Sequence, residues 1–302
     1  MSDNLRKSYK NEMAIMRHNA RFATHLLQSQ YPVPDQLPDD ASLVFLHTGK
    51  IFVPKGGKSI ILENRSPDIP RDLMRNAMYL GHRGSQVYYA ITIPDGITFL
   101  KEGLFYGVRE LFGLIPDDEL AIAGLATQMI HYDQTTRFCG RCGTATVPSQ
   151  IERAKICPSC SQIIYPRLSP AIIVLIQNKN AILMIRGSNA PSGRYGLIAG
   201  FVEPCETIEQ AVHREVREET GITIKNIRYC ASEPWPFPDS LMFGFITDYD
   251  DGEVSPDGKE IKTAEWFHRD QLPELPPRFG ITRTLIDEWI EGRFDQVITS
   301  RE

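Results

Sequence analysis

Apolar positions in this chain form short clusters in its first half and longer runs, alternating with amphipathic stretches, in its second. Leu43–Val53, Ser59–Leu62 and Gln86–Ile93 are rich in Val, Ile, Phe and Tyr and are bounded by Gly, Pro and Asp, so they read as strands of a mixed sheet. Leu120–His131 repeats its apolar residues at helical spacing. The first seven residues are polar and basic and are expected to fray. Beyond Pro170 the run Ala171–Ile176 is continuously apolar, as in a strand buried on both faces. Ala181–Ile185, Ile222–Ala231, Leu241–Asp248 and Glu260–Phe267 read as further strands. Thr207–Glu219 reads as a helix capped by Thr207, with Ile208, Ala211 and Val212 on its apolar side. Gly280–Glu291 reads as a second amphipathic helix carrying Leu285, Ile286, Trp289 and Ile290. Together these predict an α+β protein: an N-terminal mixed α/β domain (residues 1–135), a small cysteine-rich segment (136–166), and a C-terminal domain (167–302) with a sheet flanked by helices.

Composition narrows the classes. The 302 residues are 42% apolar and 24% charged, with a net charge of −5. That balance suits a globular chain and lacks the basic excess of a protein devoted to nucleic acid. No apolar run approaches the ~20 residues of a membrane helix. The N-terminal stretch has no signal-peptide core, and Thr299–Glu302 is not a peroxisomal tripeptide, so a cytoplasmic location is expected.

Four of the six cysteines form two pairs, Cys139 with Cys142 and Cys157 with Cys160, separated by fourteen residues. Paired CxxC knuckles in a cytoplasmic chain predict a tetrahedral structural Zn²⁺ rather than disulfides. The spacer is long enough for a hairpin. A segment this small needs the metal to help stabilise it.

The densest chemistry lies in Gly200–Ile222. Taking Glu215 as reference at 100° per residue, Glu219 lies about 40° away and Glu218 about 60° on the other side. Three carboxylates in one sector are costly without a cation, and a hard divalent ion such as Mg²⁺ or Mn²⁺ suits oxygen ligands. Glu215 and Glu219 are expected to hold the metal, with Glu218 completing the shell or positioning water. Arg214, four residues before Glu218, is expected to orient a carboxylate. Gly200 is expected to make a tight turn into the loop, and Gly221 to cap the helix.

The full string is Gly200, five residues, Glu206, seven residues, Arg214-Glu215, Val216, one residue, Glu218-Glu219, one residue, Gly221-Ile222. It resembles the Nudix box at every defined position. The resemblance implies a Nudix hydrolase: a C-terminal α/β/α sandwich with a mixed sheet, cleaving a nucleoside diphosphate linked to another group. It also implies the carbonyl of Ala199 and the carboxylate of Glu260 as further Mg²⁺ or Mn²⁺ ligands.

A second array, Ser232-Glu233-Pro234-Trp235-Pro236-Phe237-Pro238-Asp239-Ser240, begins ten residues after the box. Prolines fix φ and remove donors, which predicts an extended segment holding Trp235 and Phe237 in set positions, suited to a flat heteroaromatic base. The array resembles SQPWPFPxS, the signature of the NADH pyrophosphatase (NudC-type) subfamily, with Glu233 where that pattern has Gln. The cysteine ribbon just before the Nudix-like part also fits that subfamily. This resemblance implies substrate contacts at Glu233, Pro234, Trp235, Pro236, Phe237, Pro238, Asp239 and Ser240. It implies Tyr165 and Phe201 as the residues sandwiching nicotinamide, with Tyr165 reaching in from a second subunit of a homodimer. Glu152, Arg109 and Thr282 complete the implied substrate-binding set. The implied reaction is Mg²⁺- or Mn²⁺-dependent hydrolysis of NAD(H) to a nicotinamide mononucleotide and AMP, or removal of NAD from capped RNA. Competing readings are a Nudix hydrolase of ADP-ribose or dinucleoside polyphosphates, and a non-catalytic zinc-ribbon module that senses nucleotide.

Overall fold

The computed structural model describes residues 27–33, 36–64, 71–96, 102–188, 194–277 and 279–294. The start expected to fray and the C-terminal Thr299–Glu302 lie outside them. The chain divides into two compact units. One takes in Ser169–Pro234 and Ser240 onward; the other takes in the described residues before Ser169 together with Trp235–Asp239.

In the second of these, strands β1 (Ser42–His47), β2 (Lys50–Pro54), β3 (Leu62–Glu63), β4 (Met78–Arg83), β5 (Gln86–Thr92) and β6 (Gly103–Tyr106) form a mixed sheet of order β4-β5-β1-β2-β6, with β3 paired to β1. The alternation along β1 explains its central place. Val44 and Leu46 point into one core, and Leu43 and Phe45 into another. Helix α1 (Asp117–Thr135) covers the first core with Leu120, Ile122, Ala123 and Ala126. The 3-10 turn Arg71–Asn76 contributes Leu73 to the other. Three acidic residues open α1, where the helix dipole favours them.

Three expectations change here. Leu43–Val53 is not one run but a hairpin, because Thr48 and Gly49 both take positive φ and turn β1 directly into β2. Ser59–Leu62 joins the sheet only at its end; the Ile60 N–H instead donates to Glu119 Oε2 at 2.7 Å. Strand β4 lacks a sequence signal because Gly81, His82 and Arg83 break its apolar pattern, and β6 because it is only four residues long.

The cysteine segment carries β7 (Val147–Pro148), β8 (Lys155–Ile156) and β9 (Ile163–Ile164), an antiparallel three-stranded sheet. It is fastened to α1. Tyr132 Oη donates to the Ile164 carbonyl at 2.5 Å, and the buried Lys155 pairs with Asp133 at 2.7 Å.

The other unit holds β10 (Ser169–Asn178), β11 (Ala181–Gly187), β12 (Ile198–Phe201), β13 (Thr223–Trp235), β14 (Ser240–Asp251) and β15 (Ile261–His268), in the order β13-β14-β10-β11-β15 with β12 paired to β10. Strand β10 runs parallel to β14 and antiparallel to β11 and β12. Its Ile172, Val174 and Ile176 face helix α2 (Ile208–Thr220), which supplies Ala211, Val212 and Val216. Its Ile173 and Leu175 face helix α3 (Ile281–Ile290), which supplies Ile281, Leu285, Ile286 and Trp289. The result is the α/β/α sandwich expected of the C-terminal part.

The loop entering α2 contains one conformation that an L-residue resists: Cys205, exposed, at φ 65°. Left-handed backbone costs a non-glycine residue about 1 kcal/mol. Cys205→Gly is therefore expected to stabilise this unit by up to about 1 kcal/mol, read as a higher midpoint in chemical denaturation; a lower midpoint would contradict the strain.

Candidate active site

Helix α2 carries the acidic cluster and is fixed at both ends. Thr207 Oγ1 accepts the Gln210 N–H, and Gln210 Oε1 accepts the Thr207 N–H in return. Gly221 ends the helix at φ 76°, its N–H donating to the Arg217 carbonyl at 2.9 Å. The following loop then folds back, with the Ser255 N–H on the Thr220 carbonyl and the Asp257 N–H on the Glu219 carbonyl. Glu219 lies one turn beyond the buried Val216 and two beyond Val212, at the edge of the apolar face, and with this return over the helix end it is only 7% exposed.

Arg214 organises the site. Its Nε and Nη2 donate to the two Glu206 oxygens at 2.8 and 2.9 Å, and Nη2 also reaches the Phe201 carbonyl at 2.8 Å. Its Nη1 donates to Glu215 Oε1 at 2.8 Å and to Glu218 Oε2 at 3.0 Å. All five guanidinium N–H donors are used. Glu206, which enters the sequence pattern only as a box position, is thus a site residue in its own right. Arg214 and the Glu203 N–H hold its carboxyl below the usual carboxylate range.

Gly200 does not make the expected turn. It lies within β12, paired with Ile172. A Cβ added there would overlap the Glu215 carboxylate. The position needs a residue without a side chain because Glu215 packs onto it. Ala199, the preceding residue, is on the same strand opposite Ile173.

The carboxylates divide by environment. Glu218 is 60% exposed and Glu215 14%. Burial raises the Glu215 pKa, and Arg214 counters only part of that. Glu219 is pushed up to about 8, first by burial and then by Glu215, Glu260, Asp257 and Glu218. Its Oε2 is buried without a hydrogen-bond partner among the described residues. A desolvated, unpartnered oxygen among like charges is what a hard divalent cation would satisfy, so these residues fit Mg²⁺ or Mn²⁺. Glu260 sits on a turn organised by Asp257, whose carboxylate accepts the N–H groups of Lys259, Glu260 and Ile261 at 3.1, 3.1 and 2.8 Å. Asp257 left no motif in the sequence.

The four ribbon cysteines bring their sulfurs within 4.8 Å of one another. Three separations are 3.4, 3.6 and 3.7 Å. Tetrahedral Zn–S bonds of about 2.3 Å require S–S edges of about 3.8 Å, so the cage fits zinc. Both knuckles have the same backbone pattern: Gly143 N–H to the Cys139 carbonyl and Ser161 N–H to the Cys157 carbonyl, each at 2.9 Å. N–H groups of Arg141 and Cys142 lower the Cys139 thiol and Thr144 lowers Cys142 to about 6, whereas Cys160, against the Gln162 N–H, is pushed up to about 11 by burial and the neighbouring cysteines; a metal would bind all four as thiolates.

The signature array is not extended throughout. It continues β13 as far as Trp235, then turns over Pro236–Asp239, with the Phe237 N–H donating to the Trp235 carbonyl at 2.7 Å. Fixed proline φ values are compatible with a tight turn, and the array forms the connection from β13 to β14. The Trp235 and Phe237 rings meet edge to face, 5.0 Å apart at 72°. The Arg109 guanidinium lies 4.6 Å from the Phe237 ring centroid and 5.5 Å from that of Trp235. Tyr165, exposed, donates its hydroxyl to the two Glu152 oxygens at 3.2 Å. These five residues belong to the unit with α1. Phe201 (exposed), Glu233 (buried on β13), Ser240 (buried) and Thr282 (first turn of α3) belong to the unit with α2, as do the box glutamates.

Three family models match: a NUDIX domain over residues 166–288, an NADH pyrophosphatase zinc ribbon domain over 134–165, and an NADH pyrophosphatase-like rudimentary NUDIX domain over 40–131. The chain is similar to the "NAD-capped RNA hydrolase NudC" of Deinococcus radiodurans, 36% identical over 264 residues, covering 84% of this chain and 92% of that one. It is 46% identical to the NudC of Photobacterium profundum over 61% of this chain and 69% of that protein. The NudC of Escherichia coli is 37% identical over 82% of this chain and 92% of that protein. Likeness at that level along nearly the whole of two relatives, with the Nudix box folded around Arg214, means that the chain belongs to the Nudix hydrolases, in the NADH pyrophosphatase (NudC-type) subfamily.

Proposed function

We propose that this chain hydrolyses the pyrophosphate of NAD(H) to a nicotinamide mononucleotide and AMP, and the same linkage where NAD caps an RNA. The observation that carries the chemistry is the buried Glu219 oxygen, without a hydrogen-bond partner among the described residues, on a helix whose Arg214 has every donor committed to other acceptors. The relatives' names and the zinc-ribbon and rudimentary NUDIX models support the substrate.

When bound, Mg²⁺ or Mn²⁺ neutralises pyrophosphate oxygens and polarises the phosphorus toward water. Glu215, Glu219, the Ala199 carbonyl and Glu260 would hold it. Glu218 gives one oxygen to Arg214 and keeps its other for the shell or for the attacking water. Arg214 orients Glu215 and Glu218 and does not reach substrate. Tyr165 and Phe201 stack on the nicotinamide. Glu152, Arg109, Thr282 and the Glu233–Ser240 array (Glu233, Pro234, Trp235, Pro236, Phe237, Pro238, Asp239 and Ser240) complete the substrate-binding set. Residues 1–135, 136–166 and 167–302 act as N-terminal domain, structural zinc ribbon and catalytic domain. The active form is a homodimer in the cytoplasm. A thiolate zinc cage suits that compartment, and no described helix is long and apolar enough to cross a membrane.

Glu219→Gln should cut Mg²⁺-dependent NADH turnover at least about 100-fold, with AMP and reduced mononucleotide quantified by chromatography; turnover at the wild-type rate would sink the assignment and favour a sensing module. Gly200→Ala should produce a comparable loss by displacing Glu215 while leaving secondary structure unchanged. A panel of NADH, NAD-capped RNA, ADP-ribose and diadenosine polyphosphates should rank the first two highest. Preference for either of the others would move the chain to another Nudix activity. Metal analysis should find one zinc per chain, and strong chelation should lower thermal stability; a metal-free ribbon of undiminished stability would contradict the cage.

A further inference from the structure

We infer that Arg109 serves the substrate-binding set as a positioning residue, holding the Trp235–Phe237 pair rather than touching substrate itself, and that the N-terminal domain acts in recognition by holding this loop. The inference rests on the array being part of the substrate site. Three observations converge. Trp235–Asp239 clusters with the N-terminal unit although the residues on either side of it belong to the other. Phe237 packs against the core that β1 and α1 share. Arg109 covers both rings, 4.6 and 5.5 Å from their centroids.

The base of Arg109 is rigid. It stands on the 3-10 turn Val108–Leu111, whose Val108 and Leu111 are buried. The neighbouring Glu110 is engaged elsewhere, accepting the Gly107 N–H at 2.6 Å. Among the described residues Arg109 has no carboxylate partner, so its charge is directed at the negative ring faces. A flat guanidinium can lie on an aromatic face as an ammonium cannot, which makes Arg109→Lys a demanding substitution here. The edge-to-face contact fixes the two rings relative to each other. The guanidinium fixes the pair relative to the domain. An enzyme acting through these rings would feel the loss of Arg109 in substrate affinity, because the box carboxylates lie on another element.

The test is a double-mutant cycle in the full-length zinc-loaded protein, assayed with NADH. Arg109→Met should raise KM about tenfold, with KM rather than kcat carrying the loss. Combined with Phe237→Leu it should raise KM by less than the product of the two single effects, since the two residues share the Arg109–Phe237 contact. Arg109→Lys should recover less than a third of the loss. Fluorotryptophan labelling adds a readout without substrate: of the Trp235, Trp266 and Trp289 ¹⁹F resonances, only that of Trp235 should shift in Arg109→Met, the other two reporting an intact fold. Multiplying KM effects in the double variant, full rescue by lysine, or an unmoved Trp235 resonance would each overturn the inference. Wild-type protein inert toward NADH would instead remove the functional reading, and the ¹⁹F comparison would still decide whether Arg109 holds the pair.

Discussion

The catalytic unit depends on the hydrogen bonds of Arg214. One guanidinium joins the loop before α2 through Glu206, the end of β12 through the Phe201 carbonyl, and the helix face through Glu215 and Glu218. Such a half-buried cation is held in one geometry because every donor has an acceptor, two of them on one carboxylate in a fork that lysine cannot reproduce. The same bonds set the geometry of the acids. Glu215 is drawn toward β12 until it packs on Gly200, and Glu218 is held at its solvent side. The long interval between Glu206 and Arg214 is therefore a structural quantity: it is the length of chain needed to turn from the loop, cap the helix at Thr207 and bring the arginine round to the glutamate.

Above that hub the fold supplies rigidity by a simple device used in both units. A central strand, β1 in one and β10 in the other, sends alternate side chains into two separate cores. A strand so clamped cannot slip by one residue without exchanging its two faces. Strand β12 pairs with β10 in register from Ala171 opposite Phe201 to Val174 opposite Ile198. The Gly200 position, on which Glu215 packs, thus inherits its precision from the core. Helix α2 inherits it from Ala211, Val212 and Val216 beneath.

Much of this was legible in the chain, and the parts that were not share a cause. The buried strand Ala171–Ile176, both amphipathic helices, the four-cysteine cage and the carboxylate sector of α2 are periodic or closely spaced features, set by local geometry. Glycine usually marks a turn, but the real constraint on Gly200 is the Glu215 carboxylate, fifteen positions later, which no local rule reports. The break His47–Lys50 inside Leu43–Val53 is the turn: Gly49 is a signal the chain does offer there, whereas a threonine at positive φ carries no composition signal. Asp257 organises the Glu260 turn through its own neighbours' N–H groups and resembles any loop aspartate. The array after Glu233 was read as extended because its prolines fix φ, yet φ alone does not set direction: ψ and the Phe237 N–H bond close the turn. Local rules succeed where the period is the structure, and they fail where a residue answers to a partner distant in sequence.

The charge balance of α2 explains why the site needs a metal. Arg214 gives two donors to Glu206, one each to Glu215 and Glu218, and one to a carbonyl. Glu219 receives none, though it is the most buried of the box acids on the helix and faces Glu215, Glu260 and Asp257. A protein built only for stability would have spared it by a neutral side chain, since an unpartnered buried carboxyl costs free energy that nothing in the fold returns. Protonation would quiet the charge but leave a poor ligand. A divalent cation held there would remove the repulsion, satisfy that oxygen and leave Arg214 undisturbed, because the arginine's donors are already committed to Glu206, Glu215, Glu218 and the Phe201 carbonyl. The deficit at Glu219 is thus the complement of the surplus at Arg214: one residue completes the protein's own network, and the other is left for an ion from outside it.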